Sequence, residues 1–389
     1  MIGAVRTLCT LPRLIAELFQ KYISKSRTRQ GALGLLSAVL VTFAAQSGEE
    51  APRTWHEFAP VNLPIGRTAQ GENTVEISVL TYNVKGMPWP LRNDLEEGDA
   101  GRAMAAIGHH LGRLRAEGRA PNIVVVQEGF ADETALIGMN GGYRYAVAGP
   151  RGDDADEAAG AEDMALAAEA SWTRAETQGP LLNSGLYAFS DFPLSVVKSR
   201  PFGRYACAGY DCLAAKGVLA LAVDIPGLPV PLYALTLHLN AGARTAGVPE
   251  PRAVAAHRLQ INRFAQILES LDPANPLLVG GDFNVKQDSK RQRFTDERLG
   301  RAGLVAVHNR CWEELDTCSP GYPARPDAHW LEPRDIQVFR DGVGVRIQPV
   351  SSEPMFSDPL TGGMMSDHVG YLVRYRLSWR PPVQMAQHD

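Results

Sequence analysis

Apolar and polar residues alternate through "TVEISVLTYNV" (74–84), and the β-branched content predicts a strand closing near Asn83. The spacing turns helical in "AGRAMAAIGHHLGRLRAEG" and halts at Gly118. "PNIVVVQEGF" is a continuous apolar run, the mark of a strand covered on both faces or set in a sandwich core, and it ends at Glu128. "YRYAVAGP", "SGLYAFS", "PLSVVKSR", "KGVLALAVDI" and "VPLYALTLHL" read as further strands. "PRAVAAHRLQINRFAQILESL" is the clearest helix, and "NPLLVGGDF" follows it as a strand. "RDIQVFR", "VGVRIQPV" and "GYLVRYRLSW" complete the set. Many strands with short connections and few helices predict an α/β fold, a two-sheet sandwich flanked by helices, as one domain over 73–380.

Two stretches fall outside that rhythm. Residues 1–45 pass from a basic segment, "KYISKSRTRQ", into the uncharged "GALGLLSAVLVTFAA" and then small residues. That order predicts a secretory leader, too short in its apolar part for a membrane span, and a secreted or periplasmic protein. A connector (46–72) leads into the domain, and 381–389 forms a tail. "RGDDADEAAGAEDMALAAEA" (151–170) carries seven acids against one arginine and reads as a surface insertion, part helical or mobile.

With 389 residues, 45% hydrophobic and 21% charged, the chain can bury a substantial core. A net charge of -4 gives no overall basic field to draw it onto nucleic acid, although a local groove stays open. Beyond the leader lie four cysteines in two close pairs, Cys207 with Cys212 and Cys311 with Cys318. An even count at such spacing suits disulfides in an oxidising compartment, with the pairing left open. Neither spacing is that of a zinc knuckle.

Polar residues recur where predicted strands end: Asn83, Glu128, His238, Asn240, Asp282, Asn284, and then Asp367 and His368. Asp282 and Asn284 stand two apart, so they share one face of an extended chain while Phe283 turns inward. Either residue alone is an ordinary turn former. Repeated delivery of such groups from strand ends is what a site on a sheet scaffold requires. Carboxylates and amides without clustered cysteines suit a hard cation such as Mg²⁺, and paired histidines can move protons near neutral pH. Together these fit hydrolysis of a phosphoester. His109, His110 and His257 lie in predicted helices and read as solvated or packed; His308 and His329 have no motif around them.

"TYNV", "VVVQEGF", "LTLHLNAG", "GGDFNV", "RDIQVF" and "SDHVGYL", in this order, resemble the signatures of the endonuclease/exonuclease/phosphatase superfamily, with its DNase-I-like fold. The resemblance implies a metal-dependent phosphoesterase with Mg²⁺, or alternatively Mn²⁺ or Co²⁺. It implies metal binding at Glu128 and Asn83, with Asp367 as ligand or support. His368 would activate water, oriented by Asp335, although "RDIQVF" departs from the more usual aromatic after the aspartate. Asp282 would orient the water, Asn284 and Asn240 would contact phosphate, and His238 would protonate the leaving oxygen or stabilise phosphoryl charge.

"YDCLAAKGVLALAV", with "NSGLYAFSDFPL" and "NVKGMPWP", resembles the neutral and bacterial sphingomyelinase branch. Asp211 and Lys216 keep that branch's five-residue spacing, Lys216 offering positive charge to the phosphodiester and Asp211 holding the lysine or its loop. The expected activity is hydrolysis of sphingomyelin to ceramide and phosphocholine at a phospholipid surface, with no obligate protein partner. Met87 and Trp89 are candidate lipid contacts, and no aromatic membrane-inserting hairpin stands out. The alternatives are a secreted DNase-like nuclease, for which "SKRQRF" (289–294) is a short basic cluster, another phospholipid or inositol-phosphate phosphoesterase, or a non-catalytic binding module. The complete set of acids, amides and histidines disfavours the last.

Overall fold

The computed structural model describes residues 52–87, 99–152, 159–286, 289–320, 335–357 and 365–381. The expected leader, Trp89, His329 and the tail after 381 lie outside the described residues. The strands are β1 (Arg53–Thr54), β2 (Gly66–Arg67), β3 (Asn73–Asn83), β4 (Ile123–Gln127), β5 (Tyr145–Ala148), β6 (Tyr187–Ser190), β7 (Leu194–Pro201), β8 (Gly217–Val223), β9 (Leu232–His238), β10 (Leu277–Asp282), β11 (Val305–Ala306), β12 (Ser319–Pro320), β13 (Asp335–Arg340), β14 (Val345–Met355) and β15 (Gly370–Trp379). The helices are α1 (Asp99–Ala116), α2 (Ala135–Gly141), α3 (Ala161–Ala168), α4 (Ala243–Ala246), α5 (Glu250–Glu269), α6 (Lys290–Arg301) and α7 (Val307–Glu313).

Two mixed sheets form the middle of the molecule. One runs β1-β5-β6-β4-β3-β15-β14-β12, with β2 paired to β3; the other runs β11-β13-β10-β9-β8-β7. Helices α1 and α2 cover the first sheet through Met104, Ile107, Leu111 and Ile137, which pack with Leu80, Val124 and Val126. On the second sheet α5 supplies Ala256, Ile261 and Phe264 against Leu235, Leu237 and Val279. The α/β sandwich expected from the pattern is the fold observed. The central strands are apolar on both faces because each sheet has a sheet on one side and helices on the other.

Polar staples cross the gap between the sheets. Gln127 Nε2 donates to Thr236 Oγ1 at 2.9 Å. Gln337 Nε2 donates to Val79 O at 3.0 Å and Tyr371 O at 2.7 Å, while its Oε1 accepts from Tyr375 Oη at 2.8 Å. Gly280 marks a close approach: a Cβ there would lie 3.0 Å from Val125 Cγ2 and 3.1 Å from Thr81 Cβ. The first glycine of "LLVGGDF" is therefore a packing requirement.

Some elements differ from the pattern reading and others, among them the helix in the acidic insertion and the close cysteine pairs, keep to it. The connector is stitched on, since β1 pairs with β5 and β2 with β3. "SKRQRF" opens helix α6, capped by Ser289, whose side chain accepts from Gln292 N at 3.1 Å. Strand β14 extends through "SSEPM", across a register shift at Pro349/Ser351. The acidic insertion contains α3. Both close cysteine pairs are disulfides, Cys207–Cys212 and Cys311–Cys318.

Candidate active site

Strands β3, β4, β9 and β10 all end at the same edge of the sandwich, because β3 is parallel to β4 and β9 is parallel to β10. Asp282 stands opposite His238 on one side and Asp335 on the other, so adjacent strands deliver three functional groups in one row. The first sheet contributes Asn83 at the end of β3 and Glu128 just beyond β4. Glu128 and Asn284 adopt positive φ values of 56° and 50°, as does Lys85. Non-glycine residues rarely hold that conformation, and here it recurs where chains turn off their strands into the site.

A carboxylate pair forms the centre. Asn83 Nδ2 lies 3.0 Å from both Glu128 Oε1 and Asp282 Oδ2. Its Oδ1 accepts from Lys85 N at 3.1 Å, so Asn83 spans the two acids and holds them together. Two imidazoles approach the same Asp282 oxygen, His238 Nε2 at 3.5 Å and His368 Nε2 at 4.0 Å. His368 Nδ1 is 2.6 Å from Asp335 Oδ2, a contact that orients the ring with Nε2 towards the acids. Lys216 Nζ lies 2.8 Å from Asp211 Oδ1 and 3.0 Å from His238 Nε2, and donates to Leu239 O at 3.1 Å.

The electrostatics follow from burial and proximity. Burial raises the Glu128 carboxyl above its ordinary range, with Asn83 and Lys216 pulling the other way. Burial and the neighbouring Asp335 push Asp282 up to about 6. His238 is driven well below 6.5 by burial, Lys216 and His368, and is neutral at pH 7. Burial also works against a charged His368, but Asp335, Asp282 and Glu128 outweigh it and raise its pKa to about 10. Carboxylates that resist ionisation beside an imidazole that keeps its proton are a site short of positive charge.

A divalent cation fits this donor set. Glu128, His238 and Asp282 offer ligand atoms all within 4.8 Å of one another, as do Asp282, Asp335 and His368. Hard carboxylate oxygens dominate both groups, and Glu128 keeps partial solvent access for a cation that retains waters.

The remaining expected residues take other positions. Asp367 is exposed and pairs with Lys85 at 3.1 Å, outside both groups. Asn240 is fully buried: its Oδ1 accepts from Ala208 N at 2.8 Å and its Nδ2 donates to Ala241 O at 3.0 Å, bracing the loop after β9. Asn284 Nδ2 donates to Leu239 O at 2.8 Å, and its N–H to Asp282 Oδ1 at 2.9 Å. Asp211 also accepts a hydrogen bond from Ala241 N.

Arg291, from the basic "SKRQRF" cluster, carries an assignment that sequence reasoning missed. It is buried, and it donates to Asn240 O and Ala241 O at 2.8 and 3.0 Å and to Asn284 O at 3.3 Å. It ties together the exits of β9 and β10. Within "SKRQRF" itself nothing separates this arginine from Arg293, exposed on the same helix; the signal available is the four-residue spacing that puts Arg291 on the buried face of Thr295 and Leu299.

A family model described as Endonuclease/Exonuclease/phosphatase family matches residues 80–368. The chain is 23% identical over 321 residues to a protein described as a sphingomyelinase from Mycobacterium bovis, covering 80% of this chain and 55% of that one. It thus spans about half the length of the curated relatives it matches. Among solved structures it is similar to the sphingomyelinase C of Streptomyces griseocarneus, at 18% identity and a TM-score of 0.45, covering 77% of this chain and 99% of that one. It is also similar to an endonuclease/exonuclease/phosphatase from Beutenbergia cavernae DSM 12333, at 17% identity and a TM-score of 0.48, covering 78% and 72%.

Proposed function

The chain belongs to the endonuclease/exonuclease/phosphatase family, and from that premise we propose that it is an exported, Mg²⁺-dependent phospholipid phosphodiesterase of the sphingomyelinase C type. The observation that carries the chemistry is the pair of imidazoles facing one buried carboxylate, at 3.5 and 4.0 Å from Asp282 Oδ2. The substrate assignment rests on Asp211 and Lys216, whose 2.8 Å contact supports the paired role that their spacing implies, and on the resemblance to proteins described as sphingomyelinases.

Glu128 and Asp282 are the carboxylates that would hold the cation, with Asn83 fixing their separation. When bound, the ion supplies positive charge to the phosphoryl oxygens and to the carboxylates around it. The charges of Asp335, Asp282 and Glu128 hold a proton on His368; with a cation offsetting those acids, His368, oriented by Asp335, would be free to take a proton from water as the water oxygen bonds to phosphorus. The bond from phosphorus to the ceramide oxygen breaks, and the proton taken up by His368 returns through solvent to that oxygen, on the side that neutral His238 faces. Lys216 and the Asn284 amide meet the negative charge that develops on the phosphoryl group. Asp367, on an exposed ion pair, is proposed as support for the loop that carries His368. The products are phosphocholine and ceramide, and the partner surface is a phospholipid bilayer. Two disulfides within the domain support export to an oxidising compartment.

A second reading, a DNase-like nuclease, is favoured by one observation. Lys286, Lys290 and Arg293 are exposed beside the exit of β10, where they could track a phosphate backbone. One substrate panel separates the two: sphingomyelin vesicles, phosphatidylcholine vesicles, inositol phosphates, and double- and single-stranded DNA, each with Mg²⁺ and with chelator. Phosphocholine release from sphingomyelin, abolished by chelator and restored by Mg²⁺, is the expected outcome. DNA nicking with inert sphingomyelin selects the nuclease.

A further inference from the structure

The acidic insertion is fastened to the fold with more buried charge than a surface loop needs. Asp163 of α3 takes both carboxylate oxygens to Arg263 Nη2 on α5, at 2.6 and 2.7 Å. Arg252, buried on the same helix, donates to Leu166 O at 2.9 Å. The chain then turns through Trp172–Arg174 and delivers Glu176, 6% exposed, into the interior. Its Oε1 accepts from Arg252 Nε at 2.6 Å and from Gly209 N at 2.9 Å. Its Oε2 accepts from Ser171 N and Arg174 Nε, each at 2.9 Å.

Gly209 connects this knot to the candidate active site. It opens the 3-10 turn Gly209–Leu213, and its φ of 68° brings the backbone so near α4 that a Cβ would stand 1.8 Å from Ala246 O. Two residues on, Asp211 pairs with Lys216, and Lys216 reaches His238. The far end of the turn is held as well, Leu213 O accepting from Leu181 N and Leu182 N at 2.8 and 2.9 Å. The segment that follows the insertion therefore grips the turn at both ends, through Glu176 and through Leu181 and Leu182, while the Cys207–Cys212 disulfide closes it.

We propose that Glu176, just beyond the insertion, is a positioning residue, acting through Gly209 and Asp211 to set the place of Lys216 against His238, and that the insertion, whose Leu166 O accepts from the same Arg252 that holds Glu176, braces it there. The assignment rests on the reading above, in which Lys216 and His238 face the phosphodiester. A plain structural brace would make the same contacts, so the test must read coupling as well as activity.

The experiment compares wild type, Glu176→Ala, Lys216→Met and the double variant, with hydrolysis of bis(4-nitrophenyl) phosphate in Mg²⁺ as one readout. Deuterium uptake of peptides spanning 206–216 is the other. Glu176→Ala is expected to lower kcat about 100-fold, the effect of a displacement near 1 Å, with KM little changed. On the Lys216→Met background it should cost less than about twofold, because the group it positions is gone. Uptake should rise within 206–216 and stay unchanged in β9 and β10. Wild-type turnover in Glu176→Ala, or losses that multiply in the double variant, would overturn the assignment. If the wild type hydrolyses no phosphodiester, the functional reading fails by itself, and the exchange data decide this one: unaltered uptake over 206–216 ends it, and a rise confined there sustains the positioning. Should Glu176→Ala not fold, Glu176→Met, which fills the space but offers Gly209 N no oxygen, takes its place in the same cycle.

Discussion

Replacing Lys216 by methionine tests charge placement and stability together. The ammonium is 6% exposed and has three neighbours: Asp211 Oδ1 at 2.8 Å, His238 Nε2 at 3.0 Å and Leu239 O at 3.1 Å. Methionine fills most of the volume and removes every donor. Leu239 O keeps the Asn284 amide, so the main loss is at Asp211, left as a carboxylate without its cation. Removing one partner of a buried pair costs roughly 3–5 kcal/mol. Asp211 is 14% exposed and keeps the Ala241 N–H, which places this case at the low end, about 3 kcal/mol. Neutralising the stranded acid should return most of it, so Asp211→Asn/Lys216→Met is expected to regain about 2 kcal/mol over Lys216→Met. Urea unfolding at pH 7 measures both, with an unchanged m-value showing that only stability moved. Turnover of bis(4-nitrophenyl) phosphate should fall at least about 100-fold in both variants, since neither supplies the charge. Unfolding of Lys216→Met within about 0.5 kcal/mol of wild type, or no recovery on the second substitution, would refute a buried ion pair between Asp211 and Lys216 that matters to stability. Unchanged turnover would remove Lys216 from the chemistry.

Gln337→Leu strands Tyr375 Oη and takes a donor from Val79 O and Tyr371 O; it should cost about 3 kcal/mol in urea unfolding, and adding Tyr375→Phe should recover about 1 kcal/mol. Gly280→Val would drive methyl groups into Val125 and Thr81 across the sheets, and a loss of about 2 kcal/mol is expected in the same assay. His257 gives a pH signature: burial first, then the Arg291 guanidinium, lower its pKa from 6.5 to about 3. Between those values only the unfolded chain takes up the proton, so this contribution is complete above 6.5 and declines as pH falls towards 3. From pH 7 to pH 5 the decline should be about 2 kcal/mol. His257→Gln, which can still donate to Phe283 O, should flatten that part of the stability profile, and an equally steep profile would contradict the assignment.

The strands were legible because their chemistry is local. A run such as "NIVVVQ" needs cover on both faces wherever it occurs, and β4 has it. The residues that close the site were legible as types at strand ends, and the resemblance ordered them. What escaped is non-local. Arg291 is a buried brace because three carbonyls from 240, 241 and 284 converge on it, and "SKRQRF" contains none of them. Glu176 looks like any loop acid until Gly209 and Arg252 arrive from distant elements. Gln337 interrupts an apolar strand for the sake of two carbonyls on the opposite sheet. The positive φ of Glu128 has no signal in "VVVQEGF", where the flanking glycine is the more natural place to look for one.

The two carboxylates at the centre come from different sheets, Glu128 from beyond β4 and Asp282 from β10. Neither layer alone holds the pair, however well its own ladder is formed. A partly folded chain, with helices intact and the layers slid or swollen apart, would be chemically silent. Metal affinity would then report interlayer docking itself, and would vanish on a molten transition before helical signal is lost.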